Sequence, residues 1–145
     1  MNQWIHRLLP ILEQALTEMG MMPERKAKQF SKTERKKSGP RAHLVIDGTD
    51  RARQRPKDKK KQAEHYSGKT KSHSDKNIVI VEKNSTRVGY LSPTYPGKVH
   101  DKKIVDEDTI VYPRHATLSK DSGFQGYEPR VKKTRQPKKN LAGEN

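Results

Sequence analysis

The sequence predicts an α/β domain organised around one mixed β-sheet, and three observations carry that expectation. The apolar run Leu44-Val45-Ile46 closes on Asp47-Gly48, the pattern of a buried strand that delivers an acid to its C-terminal end. Residues 77–82 and 87–92 are strand-length runs joined by Lys83-Asn84-Ser85-Thr86, a polar turn suited to a hairpin. Helical signals stand at the N-terminus and again after the hairpin.

Taken in chain order, residues 3–19 carry Ile5, Leu8, Leu9, Leu12, Leu16 and Met19 at spacings of three and four, which builds one apolar helical stripe. Pro10 falls inside it, and a proline in a helix interior costs roughly 3 kcal/mol. A kink or a fresh start near Leu9 is therefore expected, with the stripe packed on the rest of the domain. Residues 21–41 turn polar, with Pro23, Gly39 and Pro40 as breakers, and read as a charged helix or linker. The first strand spans about 42–48. Residues 51–76 form a cationic excursion of ten basic residues against three acids. After the hairpin, Pro93 and the Pro96-Gly97 pair close the meander. A short helix is predicted over 101–108, a fourth strand over 116–120, and a second helix over 128–135 with Pro129 in its first turn. The division is thus 1–41 as helical extension and linker, and 42–145 as the catalytic part.

Strands one and four each deliver an acid. This order matches the front half of a ribonuclease-H-like α/β fold, an antiparallel three-strand meander extended by a parallel fourth strand and incomplete at its C-terminus.

Composition narrows the partners. The 32 Lys and Arg outweigh 17 Asp and Glu, for a net charge of +15, and this points to a polyanion such as nucleic acid. The basic residues do not alternate with an apolar helical face, which argues against a membrane surface. Only 29% of the 145 residues are apolar, so one modest core is all the chain can build. Cysteine is absent, which removes disulfides and thiolate metal sites. With no targeting segment or membrane-length apolar run, a cytoplasmic protein is expected.

The chemistry is expected at Asp47 and Asp121. Each follows a strand-like segment, and each stands near a glycine, Gly48 or Gly123, that lets a phosphate backbone come close. Two acids on neighbouring strand ends can hold divalent cations about 3.5–4 Å apart. Mg²⁺ or Mn²⁺ suits such a site, since hard cations take oxygen ligands and keep several waters. Asp101, in Pro96-Gly97-Lys98-Val99-His100-Asp101, is the alternative second acid, and it also suits the N-cap of the helix over 101–108. Lys69, Lys71 and His73, around Gly68, are expected to contact DNA phosphates. The spaced glycines of a Gly-x4-Gly-Lys-Ser/Thr nucleotide loop are absent. Lys132, Lys133, Arg135, Lys138 and Lys139 form a second basic cluster. Either cluster also fits a solvated charged surface.

Four strings in order carry a family resemblance: Leu44-Val45-Ile46-Asp47-Gly48-Thr49, His65-Tyr66-Ser67-Gly68-Lys69, Tyr95-Pro96-Gly97-Lys98-Val99-His100-Asp101 and Asp121-Ser122-Gly123-Phe124-Gln125-Gly126-Tyr127. Over residues 43–127 the chain resembles the catalytic domain of DDE-type transposases of bacterial insertion sequences, in the branch related to the eukaryotic Harbinger elements. The resemblance implies a ribonuclease-H-like fold, Mg²⁺ or Mn²⁺, cleavage at the ends of a mobile element and strand transfer. It implies Asp47 as the first catalytic aspartate and Asp121 as the second, with Asp101 as the other candidate for that role. Family members add a glutamate on a later helix, whereas after Asp121 this chain offers only Glu128, in a turn, and the penultimate Glu144. The family's N-terminal helix-turn-helix is missing as well. The chain therefore reads as a truncated transposase that binds DNA and is inactive alone. The expected setting is the bacterial nucleoid, with DNA and either a second copy or a full-length transposase as partners. The alternative is a non-catalytic basic protein bound to RNA or ribosomes.

Overall fold

The computed structural model describes residues 3–39 and 41–137. Helix α1 (Gln3–Glu18) runs unbroken through Pro10. It ends in a Schellman turn at Gly20 (φ 67°), where Gly20 N donates to the Thr17 carbonyl and Met21 N to that of Leu16. The expected fresh start at Leu9 does not occur, since Pro10 lies inside one continuous helix. Nor does the stripe pack on the domain, since no residue of α1 is buried.

Helix α2 (Phe30–Ser38) joins the core. Phe30 is fully buried between Tyr90 and Tyr112, with ring centroids 5.7 and 5.9 Å away. The equally buried Glu34 accepts from Arg87 Nη2 at 2.9 Å on both oxygens. Upstream, the backbone of Glu24 bonds to Gly89 and Leu91, so this segment adds a bridge to the sheet edge.

Strand β1 (His43–Ala52) is followed by α3 (Lys59–His65), β2 (Tyr66–Ser67) and the long β3 (Ser72–Glu82). Then come β4 (Arg87–Leu91), β5 (Tyr95–Pro96), α4 (Asp101–Asp108) and β6 (Thr117–Lys120). A single 3₁₀ turn (Ser122–Phe124) and β7 (Lys133–Arg135) complete the described elements. One mixed sheet results, ordered β2-β3-β1-β6-β7. β1 lies antiparallel to β3 and parallel to β6. The far edge of β3 is shared by β2, β5 and β4.

Three strands exceed what periodicity indicates. β3 begins at Ser72 and β1 runs to Ala52, because the two keep pairing down to Ala52–Ser74 through polar residues. The helix expected over 128–135 is replaced by β7, parallel to β6. Without β7 the outer edge of β6 would leave backbone groups unpaired. Thr134 pairs with Leu118 and Val131 packs against the core, so the edge is covered instead.

The core occupies one face of the sheet. Leu44 and Ile46 of β1, Ile78 and Ile80 of β3, and Leu118 of β6 meet Ile104 and Val105 of α4 and Phe124. β1 alternates, with Val45 and Asp47 exposed, so it is buried on one side and not on both. Asn77 locks the end of the hairpin: its amide donates to the carbonyls of Ser92 and Pro93 and to the Thr94 hydroxyl.

Candidate metal and nucleic-acid site

The parallel ladder of β1 and β6 ends at Ile46 and Lys120. Asp47 and Asp121 are the residues that follow this last rung, Asp47 within β1 and Asp121 just past β6 as the N-cap of the 3₁₀ turn. Both line one open hollow, together with Arg135. Each carboxylate is oriented by a local amide. Asp47 Oδ1 accepts from Gly48 N at 2.8 Å, and Asp121 Oδ1 accepts from Gly123 N at 2.9 Å as it caps the 3₁₀ turn. That turn is tied down on both sides. Lys120, buried, donates to the Tyr127 carbonyl and pairs with Glu128 at 3.0 Å, while Gln136 Nε2 donates to the Asp121 carbonyl at 2.8 Å.

Asp101 arrives from the other side. His100 occupies the N-cap position of α4 without a side-chain bond, so Asp101 is the first helical residue and not the cap. Its carboxylate packs against Gly48 in β1 and Gly123 in the 3₁₀ turn. A Cβ at Gly48 would lie 2.8 Å from Asp101 Oδ1, and one at Gly123 would lie 3.2 Å from Asp101 Oδ2 and 3.1 Å from Asp121 Oδ1. The space those glycines leave is therefore taken by a carboxylate. Lys76 Nζ sits 2.9 Å from Asp101 Oδ1 and donates to the Val99 carbonyl at 3.0 Å. The pair is not well aligned: Oδ1 is buried without a directed hydrogen bond.

The far end of α4 is pinned by two phenols. Tyr90 and Tyr95 both donate to Asp108, and burial, reinforced by that carboxylate, pushes both hydroxyl pKa values well above the ordinary range. Tyr95 immediately precedes the Pro96-Gly97 turn that leads to Asp101, so this clamp fixes the loop as well as the helix.

Asp101 and Asp121 form one wall of a cleft of about 1150 Å³. Lys69 and His73 line it, together with Arg55, Lys59, Lys98 and His100. Tyr66 meets His73 edge to face at 5.6 Å. Lys71 is exposed at a left-handed turn position (φ 51°) and does not line the cleft. Lys132 and Lys133 are exposed near β7, away from the cleft, while Arg135 joins the acidic hollow. Lys138 and Lys139 lie outside the described residues. Lys98 and His100 stood in view inside the Pro96–Asp101 string. Lys76 had no signal in the sequence, because a buried lysine is explained only by its partner.

Among the described residues no group of three His, Asp or Glu side chains is arranged to hold a metal ion. The donor chemistry still fits a hard divalent cation, which needs few protein carboxylates when waters complete its shell. Of the three candidate acids, Asp101 is paired with Lys76, while Asp47 and Asp121 have no ion-pair partner among the described residues.

No helix of the described residues is long and apolar enough to cross a membrane. No curated protein and no solved structure matches the chain. A family model described as DDE superfamily endonuclease matches residues 46–145, from within the first strand onward. That span covers more than half of the sequence and includes the three candidate acids Asp47, Asp101 and Asp121, and the chain belongs to the DDE superfamily endonucleases.

Proposed function

We propose that the chain is the DNA-processing part of a transposase from a bacterial insertion sequence, of the Harbinger-related branch, with a ribonuclease-H-like sheet and a place of action on nucleoid DNA. In this reading residues 42–145 carry the chemistry and residues 1–41 attach it to a partner. The observation that carries the reading is the rung beyond Ile46–Lys120, where the parallel strands leave Asp47 and Asp121 side by side at the mouth of a hollow.

Asp47 and Asp121 would hold Mg²⁺ or Mn²⁺, which supplies an activated water or hydroxyl and stabilises the leaving oxygen. The protein's own groups do the rest. Gly48 N and Gly123 N aim the two carboxylates. Lys69, His73, Arg55 and Lys98 receive backbone phosphates along the cleft, as positioning contacts without base readout. Lys76 occupies Asp101, which favours Asp121 as the second ligand. With Asp101 paired to Lys76, and no group of three acids arranged for a metal ion among the described residues, the chain alone is expected to bind DNA and to show little strand transfer.

The test pairs binding with metal response. DNA affinity should fall roughly 10³-fold between 50 and 200 mM salt. Millimolar Mn²⁺ should raise the melting temperature of the wild type and leave Asp47→Asn unmoved. Sustained nicking of supercoiled plasmid that Asp47→Asn abolishes would overturn the inactivity of the lone chain. The Lys76–Asp101 pair also favours a second reading, a basic RNA- or ribosome-associated protein with no metal chemistry. Melting of the wild type unchanged by Mn²⁺ would select it.

A further inference from the structure

We propose that α1 is a dimerisation helix whose occupant is α1 of a second copy of this chain, packed antiparallel about a two-fold axis at Leu12. The stripe is a palindrome in space. Ile5, Leu8, Leu12, Leu16 and Met19 stand at −7, −4, 0, +4 and +7 from Leu12. An antiparallel copy therefore sets Ile5 against Met19, Leu8 against Leu16 and Leu12 against itself, and no apolar position of the stripe faces a polar one. In the structure Leu16 is half-buried, and Ile5, Leu8, Leu12 and Met19 are between 52 and 69% exposed.

Charge selects the orientation. The cation Arg7 lies in the first half of α1, and the acids Glu13 and Glu18 lie in the second. This opposes the helix's own dipole, which favours acids at the N-terminus and bases at the C-terminus. An antiparallel partner reverses both terms, placing each basic half beside an acidic half. A parallel partner would set like against like.

Size agrees. Five side chains with on the order of 100 Å² each to bury give about 500 Å² per helix, or about 1,000 Å² in the pair, the lower bound for a specific interface. A lone helix of 16 residues is marginal in water, so this one gains from a partner. The Schellman turn and the bridge at Glu24 join α1 to the β4 edge. No α1 residue lines the basic cleft, so pairing leaves both clefts open to nucleic acid.

The experiment uses the full chain, freed of nucleic acid by nuclease and high salt. Sedimentation equilibrium should show a dimer with a dissociation constant in the micromolar range. Leu12→Arg should weaken it at least 100-fold while leaving the circular dichroism unchanged, because Leu12 is exposed in the single chain. The chain has no cysteine of its own, so single cysteines report the register. A mixture of Ile5→Cys and Met19→Cys should cross-link under mild oxidation, and neither variant alone should. A wild type that stays monomeric at 200 µM (roughly a hundred times the expected midpoint) overturns the proposal. So does a dimer that tolerates Leu12→Arg, a 5-to-5 cross-link, which means parallel helices, or the absence of any 5-to-19 cross-link, which means α1 sits on another surface.

Discussion

Replacing Lys76 by methionine removes the ammonium and leaves the Asp101 carboxylate against Gly48 and Gly123 with no opposite charge. The two side chains are 9 and 15% exposed and 2.9 Å apart. Deleting one partner of a buried ion pair costs roughly 3–5 kcal/mol, because the survivor is a buried charge without compensation. Asp101 faces the cleft, so some water reaches it and the lower figure, about 3 kcal/mol, applies. At about 2–4 °C per kcal/mol for a domain of this size, the melting temperature should drop by about 6–12 °C. Thermal and urea unfolding followed by circular dichroism read this directly. Adding Asp101→Asn to Lys76→Met should restore most of the loss, since the amide carries no charge to strand. Mn²⁺ should stabilise Lys76→Met more than the wild type, because a third carboxylate becomes available to a cation. A loss below 1 kcal/mol, or a double variant whose loss is the sum of the two single ones, would refute the reasoning.

Gly97→Ala should cost more than 2 kcal/mol in urea unfolding, since its Cβ would run into the Ser74 hydroxyl and lie 2.8 Å from the Ser74 carbonyl, which cannot yield. Arg87→Met strands Glu34, which is fully buried, and should destabilise by roughly 3–5 kcal/mol in the same assay. Tyr90 and Tyr95 have hydroxyl pKa values raised above the ordinary 10.0, so the folded state prefers their neutral forms. Their contribution is whole below pH 10 and is lost as pH climbs toward the folded values. Stability measured between pH 9 and 11 should therefore fall, and Tyr95→Phe should flatten the slope. A profile unchanged by Tyr95→Phe would remove the Asp108 clamp as its cause.

Much of the sheet could be read from short apolar runs, because burial on one face imposes its own alternation. Leu44 and Ile46, Ile78 and Ile80, and Leu118 are buried at the strands they mark. The helix over 101–108 matches α4 for a similar reason: Ile104 and Val105 give it one apolar side. Polar extensions were invisible. Asp50, Arg51 and Lys76 have no strand signature, and they pair because β1 and β3 continue the ladder that their apolar halves began. The 128–135 segment went the other way, drawn into strand by an open sheet edge that local propensity does not contain.

The order of strands and acids marked Asp47 and Asp121 as strand-end acids; Asp121 does follow the last residue of β6, whereas Asp47 lies within β1, which pairs with β3 as far as Ala52. Tertiary structure alone decided that the parallel ladder stops just before both, that Asp101 fills the space beside Gly48 and Gly123, and that Lys76 meets it there. The contacts around Asp101 join residues 22 to 53 positions apart in sequence, from Asp101–Gly123 to Gly48–Asp101. Electrostatic pairing at such separations depends on where the backbone carries each charge, and a linear pattern of hydrophobicity holds no record of that.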